Sequence, residues 1–82
     1  MKTISIDEYN PNMGTLISLE DNDDFKSIKG SININMYKLL NNPSKYLEKN
    51  KRYYFYCYNG SRARRVIQVL SMYGYSVYKV TK

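Results

Sequence analysis

Apolar and polar positions along this chain follow two different periods. Thr3–Ile6 (TISI) and Thr15–Glu20 (TLISLE, apolar at Leu16, Ile17 and Leu19) have the composition of short strands, and DEYNPNMG between them carries the Asn-Pro and Gly signals of a turn. DNDDFKSIKG offers Asp21 as a helix N-cap, with Phe25 and Ile28 three apart, so one or two helical turns ending at Gly30 are predicted. SININ then alternates with a period of two, which places Ile32 and Ile34 on one face. Met36, Leu39 and Leu40 predict a short helix, and beyond the break at Pro43 come a further turn with Tyr46 and Leu47. RYYFYCY, Arg52–Tyr58, is aromatic nearly throughout, which suits a central strand covered on both faces. In SRARRVIQVLSMYGY, the residues Ala63, Val66, Ile67, Leu70 and Tyr73 form one stripe at helical spacing, stopped at Gly74, and SVYKVT supplies a last strand. Strand and helix segments alternating over such short spans predict an α/β fold: a small parallel β-sheet of about five strands, joined by right-handed crossovers and flanked by helices on both faces.

Composition narrows the picture. With 82 residues, 43% of them hydrophobic, the chain is expected to form a single domain over 1–82. One cysteine and no histidine leave neither an internal disulfide nor a zinc site, and no metal or cofactor is expected. The thiol points to a reducing compartment. With no apolar stretch of membrane-spanning or signal-peptide length, the expected location is cytoplasmic, without a membrane partner. The net charge of +6 and ten tyrosines invite a nucleic-acid reading, but the positive charge is scattered and EDNDD (Glu20–Asp24) is an acidic block, so no nucleic-acid partner is expected.

Chemistry concentrates where the aromatic strand ends. In parallel sheets ligands collect at the carboxyl ends of the strands, and Cys57 stands at such an end, directly before the strongest helix. The chain between them, Tyr58-Asn59-Gly60-Ser61-Arg62, can curl its N–H groups into an anion-binding nest above the helix terminus. The helix dipole and Arg62 add positive potential, which favours a thiolate. Gly60 suits a positive φ or a close approach of the backbone, and Ser61 is the expected N-cap. A cysteine at a strand end also packs as a small hydrophobe with an ordinary turn after it, and spacing alone leaves both readings of Cys57 open.

CYNGSRARR resembles the active-site loop of the rhodanese sulfurtransferases, in which glycine stands third and arginine fifth after the cysteine; here these are Gly60 and Arg62. SIKGSININ is similar to that family's HIxGAxNIP segment and VLSMYGYSVYKV to its LxxxGYxxVxxL ending, so the likeness runs from about Thr15 to Val80. The resemblance implies that Cys57 attacks the outer sulfur of thiosulfate or a persulfide and carries it as a persulfide. The sulfur then passes to a thiol or cyanide, or to a protein partner, as a protein can also serve as donor. It also implies that the backbone of Tyr58, Asn59, Gly60, Ser61 and Arg62 surrounds the bound sulfur, with Arg62 closing the loop. Arg64 and Arg65 are expected to lie on a solvated helix face. Four residues separate Cys57 from Arg62, one fewer than cysteine-dependent phosphatases place there, so the ring suits a sulfur atom better than a phosphoryl group and leaves phosphatase or arsenate reductase activity as a remote alternative. Ser18 and Glu20 stand where the family commonly has Asp and Arg, Ser27 where it has His, and Tyr58 where many thiosulfate-using members have a basic residue. These departures bear on thiosulfate use and keep a second class of function in view, a non-catalytic rhodanese-like module that binds a protein partner.

Overall fold

The computed structural model describes residues 2–20 and 30–81. The turns read at Asp21, Phe25 and Ile28, and the position of Ser27, lie outside the described residues. Five strands form one sheet: β1 (Thr3–Ser5), β2 (Thr15–Ser18), β3 (Ile32–Asn33), β4 (Arg52–Tyr56) and β5 (Ser76–Thr81). Their order is β1-β5-β4-β2-β3, and every pairing is parallel. β4 holds the centre, as its aromatic run requires. Phe55 is opposite Ile17 on one side and Lys79 on the other, and Tyr56 is opposite Ser18.

Alternation along β4 feeds two cores. Tyr53, Phe55 and Cys57 join Ile17 and Leu19 on one face, where α1 (Met36–Asn41) contributes Met36 and Leu39 and α2 (Ser61–Met72) contributes Ala63, Val66, Ile67 and Leu70. Tyr54 and Tyr56 join Leu16 and Val80 on the other, under Ile6, Tyr9 and Met13 from the segment between β1 and β2. Both α-helices among the described residues therefore cover the same face. The opposite face is closed by a chain segment containing the 3₁₀ turn Ile6–Glu8, and Tyr54 stacks there on Tyr78 with ring centroids 4.8 Å apart.

Local chemistry explains the helix ends. The Asn35 side chain accepts from the Tyr37 and Lys38 amides at 2.9 and 3.1 Å and caps α1, which Asn42-Pro43 then stops. α2 ends with Gly74 at φ 91°, where the Gly74 amide reaches the Ser71 carbonyl and the Tyr75 amide reaches that of Leu70. At its start the N-cap is Gly60 rather than Ser61: Gly60 adopts φ 82° and accepts the first helical bond from the Arg64 amide, so Ser61 already belongs to the helix. The shared face read for Ile32 and Ile34 also fails to bury both. β3 ends at Asn33, so its alternation stops before Ile34, which packs on the core while Ile32 is 54% exposed. No described helix is long and apolar enough to cross a membrane.

Candidate functional site

Parallel pairing brings the carboxyl ends of β2, β4 and β5 to one edge of the molecule, and the register there decides which side chains meet. Ser18 pairs with Tyr56 and the Leu19 amide donates to the Tyr56 carbonyl at 2.8 Å, so two residues farther on Glu20 arrives beside Tyr58. Cys57 lies between them in sequence. Its side chain is 3% exposed and turned toward the helix-covered face, where Ala63 begins the second residue pair of α2.

The sulfur meets the end of the helix. Ala63 N–H donates to Sγ at 3.3 Å, and the thiol lies 4.0 Å from Asn59 Oδ1 as a long S–H···O contact. That same Oδ1 accepts from the Ser61 amide at 3.1 Å and from the Ser61 hydroxyl at 2.9 Å, so the Asn59 side chain braces the loop from within. Of these two contacts, the Ala63 N–H is the one that presents a positive end to the sulfur. The helix terminus is therefore the fixed source of positive potential at Sγ.

The remaining loop amides differ from the convergent cradle expected from sequence. Tyr58 N–H donates to Glu20 Oε1, Gly60 N–H to the Cys57 carbonyl at 3.3 Å, and Ser61 N–H to Asn59. Their acceptors come from the loop itself and from Glu20, two residues past the end of β2. Glu20 is 7% exposed, and its second oxygen pairs with Arg62 Nη1 at 3.5 Å. Its backbone is held as well: the Glu20 carbonyl accepts from Asn33 Nδ2 at 3.0 Å and its amide donates to Ser18 Oγ at 3.4 Å. The Glu20 carboxylate is thus built into the loop, and Ser18, which accepts from its amide, is fully buried.

Of the residues singled out in the sequence, Cys57, Tyr58, Asn59 and Gly60 line one cavity, Ser61 donates to the bracing Asn59 side chain, and Arg62 pairs with Glu20; Tyr58, Asn59 and Ser61 are exposed. Arg64 and Arg65 are exposed on α2. Sequence patterning passed over three participants. Lys79 on β5 reaches the loop so closely that a Cβ on Gly60 would lie 2.9 Å from its Nζ, and it lines a cavity of about 230 Å³ with Cys57, Tyr58, Asn59, Gly60 and Thr81. Asn33 anchors Glu20 from the edge strand. Tyr56 carries a hydroxyl with no hydrogen-bond partner among the described residues, and its pKa is raised by burial first and then by Glu20, Cys57 and Tyr58. Strand register, which a single sequence does not display, is what brings Asn33 and Lys79 near Cys57, whereas Tyr56 adjoins it in the chain and only its burial is hidden.

Residues 5–81 match the family model described as Rhodanese-like domain. Among solved structures, a rhodanese-related protein from Thermoplasma volcanium is similar, at 27% identity and TM-score 0.82, covering 98% of this chain and 83% of that one. A rhodanese-like domain protein from Staphylococcus aureus shares the fold at 24% identity and TM-score 0.78, covering 98% of this chain and 84% of that one. The reduced CoADR-RHD protein of Bacillus anthracis is 31% identical with TM-score 0.80 over 96% of this chain, which spans only 15% of that protein. A comparison with curated proteins gave no match.

Proposed function

Because this chain belongs to the rhodanese-like domain family, we propose that it is a sulfurtransferase that carries sulfur as a persulfide on Cys57. The observation that carries this reading is the Ala63 N–H aimed at Sγ from the amino end of α2, at the carboxyl end of the central parallel strand. The thiolate attacks the outer sulfur of a donor R–S–S⁻. A new Cys57 S–S bond forms, the donor S–S bond breaks, and the departing RS⁻ takes a proton as RSH. An acceptor thiolate or cyanide then takes the terminal sulfur and returns Cys57 to the thiolate, a ping-pong cycle without net redox change.

The loop residues have distinct parts in this cycle. Gly60 permits the left-handed turn that brings the backbone of Tyr58–Arg62 around the bound sulfur, and Arg62, tied to Glu20, closes the far side. Rotation of the Asn59 side chain away from Sγ releases the Ser61 amide and makes room for a second sulfur beside the first. Donor and acceptor are small sulfur compounds or a protein thiol, and the free-thiol chemistry belongs in a reducing compartment such as the cytoplasm.

A second reading, a non-catalytic module that binds a protein partner, is favoured by the 3% exposure of Cys57 and by the internal acceptors of the Tyr58, Gly60 and Ser61 amides. One experiment decides between them. The protein is incubated with a persulfide or thiosulfate and weighed intact. The sulfurtransferase gains the mass of one sulfur, loses it to cyanide, and gains nothing as Cys57→Ala, whereas a mass unchanged by every donor supports the binding module.

A further inference from the structure

The carboxylate of Glu20 is spent on two groups that an incoming anion would otherwise use. It accepts from the Tyr58 amide and pairs with the Arg62 guanidinium, while Asn33 and Ser18 hold its backbone in place. At 7% exposure it is shielded from bulk water, so its charge acts on the loop with little solvent screening. On the other side of the loop, Lys79 is the cation lining the cavity beside Cys57 and Gly60. A donor entering there meets one ammonium and, across the loop, a guanidinium whose charge the Glu20 carboxylate already balances.

Resting on the sulfurtransferase reading, we infer that Glu20 sets the donor class: the loop takes sulfur from a singly charged organic persulfide and discriminates against dianionic thiosulfate. Both donors present an outer sulfur to Cys57, and they differ in what leaves. From R–S–S⁻ the leaving group is a thiolate that protonates to a neutral thiol. Thiosulfate must bring a sulfonate-bearing dianion to the loop and release sulfite dianion, and its second negative charge faces a guanidinium that the Glu20 carboxylate has already balanced. Lys79 compensates one charge, which matches a persulfide anion and leaves the second charge of thiosulfate unmatched. Small-molecule and protein persulfides share this chemistry.

The test compares donors on the wild type and on Glu20→Gln, which keeps the shape and an oxygen for the Tyr58 amide while removing the charge. Rates of Cys57 persulfide formation are measured with thiosulfate, with cysteine persulfide and with a persulfidated peptide, the last two separating small from macromolecular sources. Wild type is expected to favour at least one persulfide over thiosulfate by about tenfold or more in kcat/KM. In Glu20→Gln the ratio of thiosulfate to persulfide kcat/KM should rise at least about tenfold, mainly through a lower KM for thiosulfate. A wild type that prefers thiosulfate overturns the inference even if the variant does not fold. A ratio unchanged by the variant, with both rates falling together, overturns it too, because that pattern belongs to a merely structural residue. If no donor loads Cys57, the sulfurtransferase reading is what fails. Calorimetric titration of thiosulfate then judges the charge effect alone: Glu20→Gln in a Cys57→Ala background must bind it at least about tenfold more tightly than Cys57→Ala, and equal affinity refutes it.

Discussion

Tyr56 ends β4 with its ring sealed against Leu16, Tyr54 and Val80, and its hydroxyl has no hydrogen-bond partner among the described residues. A buried hydroxyl without a partner keeps its desolvation cost and recovers nothing for it. Tyr56→Phe is therefore expected to raise unfolding stability by about 1 kcal/mol, read as a higher denaturant midpoint at unchanged slope. The same side chain has a pH consequence. Burial, with Glu20, Cys57 and Tyr58 adding to it, raises the Tyr56 pKa above 10.0, and burial with Tyr54 does so for Tyr9. Below pH 10 both the folded and unfolded chains keep these phenols protonated and the stability is fully present. As pH rises further the unfolded chain gives up protons first, so stability falls until the folded phenols titrate as well. Melting temperatures measured above pH 10 should decline, and Tyr56→Phe should make that decline shallower. An equal slope in the two proteins would assign the alkaline loss to other groups.

At the scale of elements, the junction from β4 into α2 depends on a backbone turn that one residue supplies. Gly60 at φ 82° is in the left-handed region, and a Cβ there would meet only the flexible end of Lys79. The cost of Gly60→Ala is thus conformational, about 1–2 kcal/mol, with Gly60→Asn less costly. Gly14 differs in kind. A Cβ at Gly14 would press on the backbone of Arg52, with the carbonyl carbon at 2.9 Å, where nothing can rotate away. Gly14→Ala should therefore destabilise more than Gly60→Ala in chemical denaturation, and the reverse order would contradict the packing described for the start of β2. These elements are unequally legible in the sequence. The stripe Ala63, Val66, Ile67 and Leu70 is periodic enough to define α2, and the aromatic run defines β4 as a doubly covered strand. The CxxGxR spacing likewise marks Cys57, Gly60 and Arg62. What the sequence does not display is the allocation of the loop amides. Tyr58 and Glu20 are 38 positions apart, and only the pairing of β2 with β4 brings them together. Local propensity carries no record of that register.

For the whole molecule, one sheet serves two cores that do not share side chains. The helix-covered face gathers Ile17, Phe55, Leu70 and their neighbours; the other face gathers Leu16, Tyr54, Tyr56 and Val80. β4 contributes alternate residues to both, so losing its pairing to β2 or β5 would uncover both faces at once. The two cores are therefore expected to unfold together, although their side chains act independently in the folded state. Ile17→Val removes one buried carbon and Val80→Ala two, from opposite faces, and they should cost about 1 and about 2 kcal/mol respectively. Because the two sites belong to separate clusters with β4 between their strands, the double variant should lose the sum to within about 0.5 kcal/mol. Tyrosine near-ultraviolet and backbone far-ultraviolet signals should follow a single transition in all three variants. A coupling energy well above that margin would show that strain passes through the sheet from one core to the other. Separated transitions would show that the Tyr54–Tyr78 face melts on its own, leaving Cys57 on a half-formed scaffold.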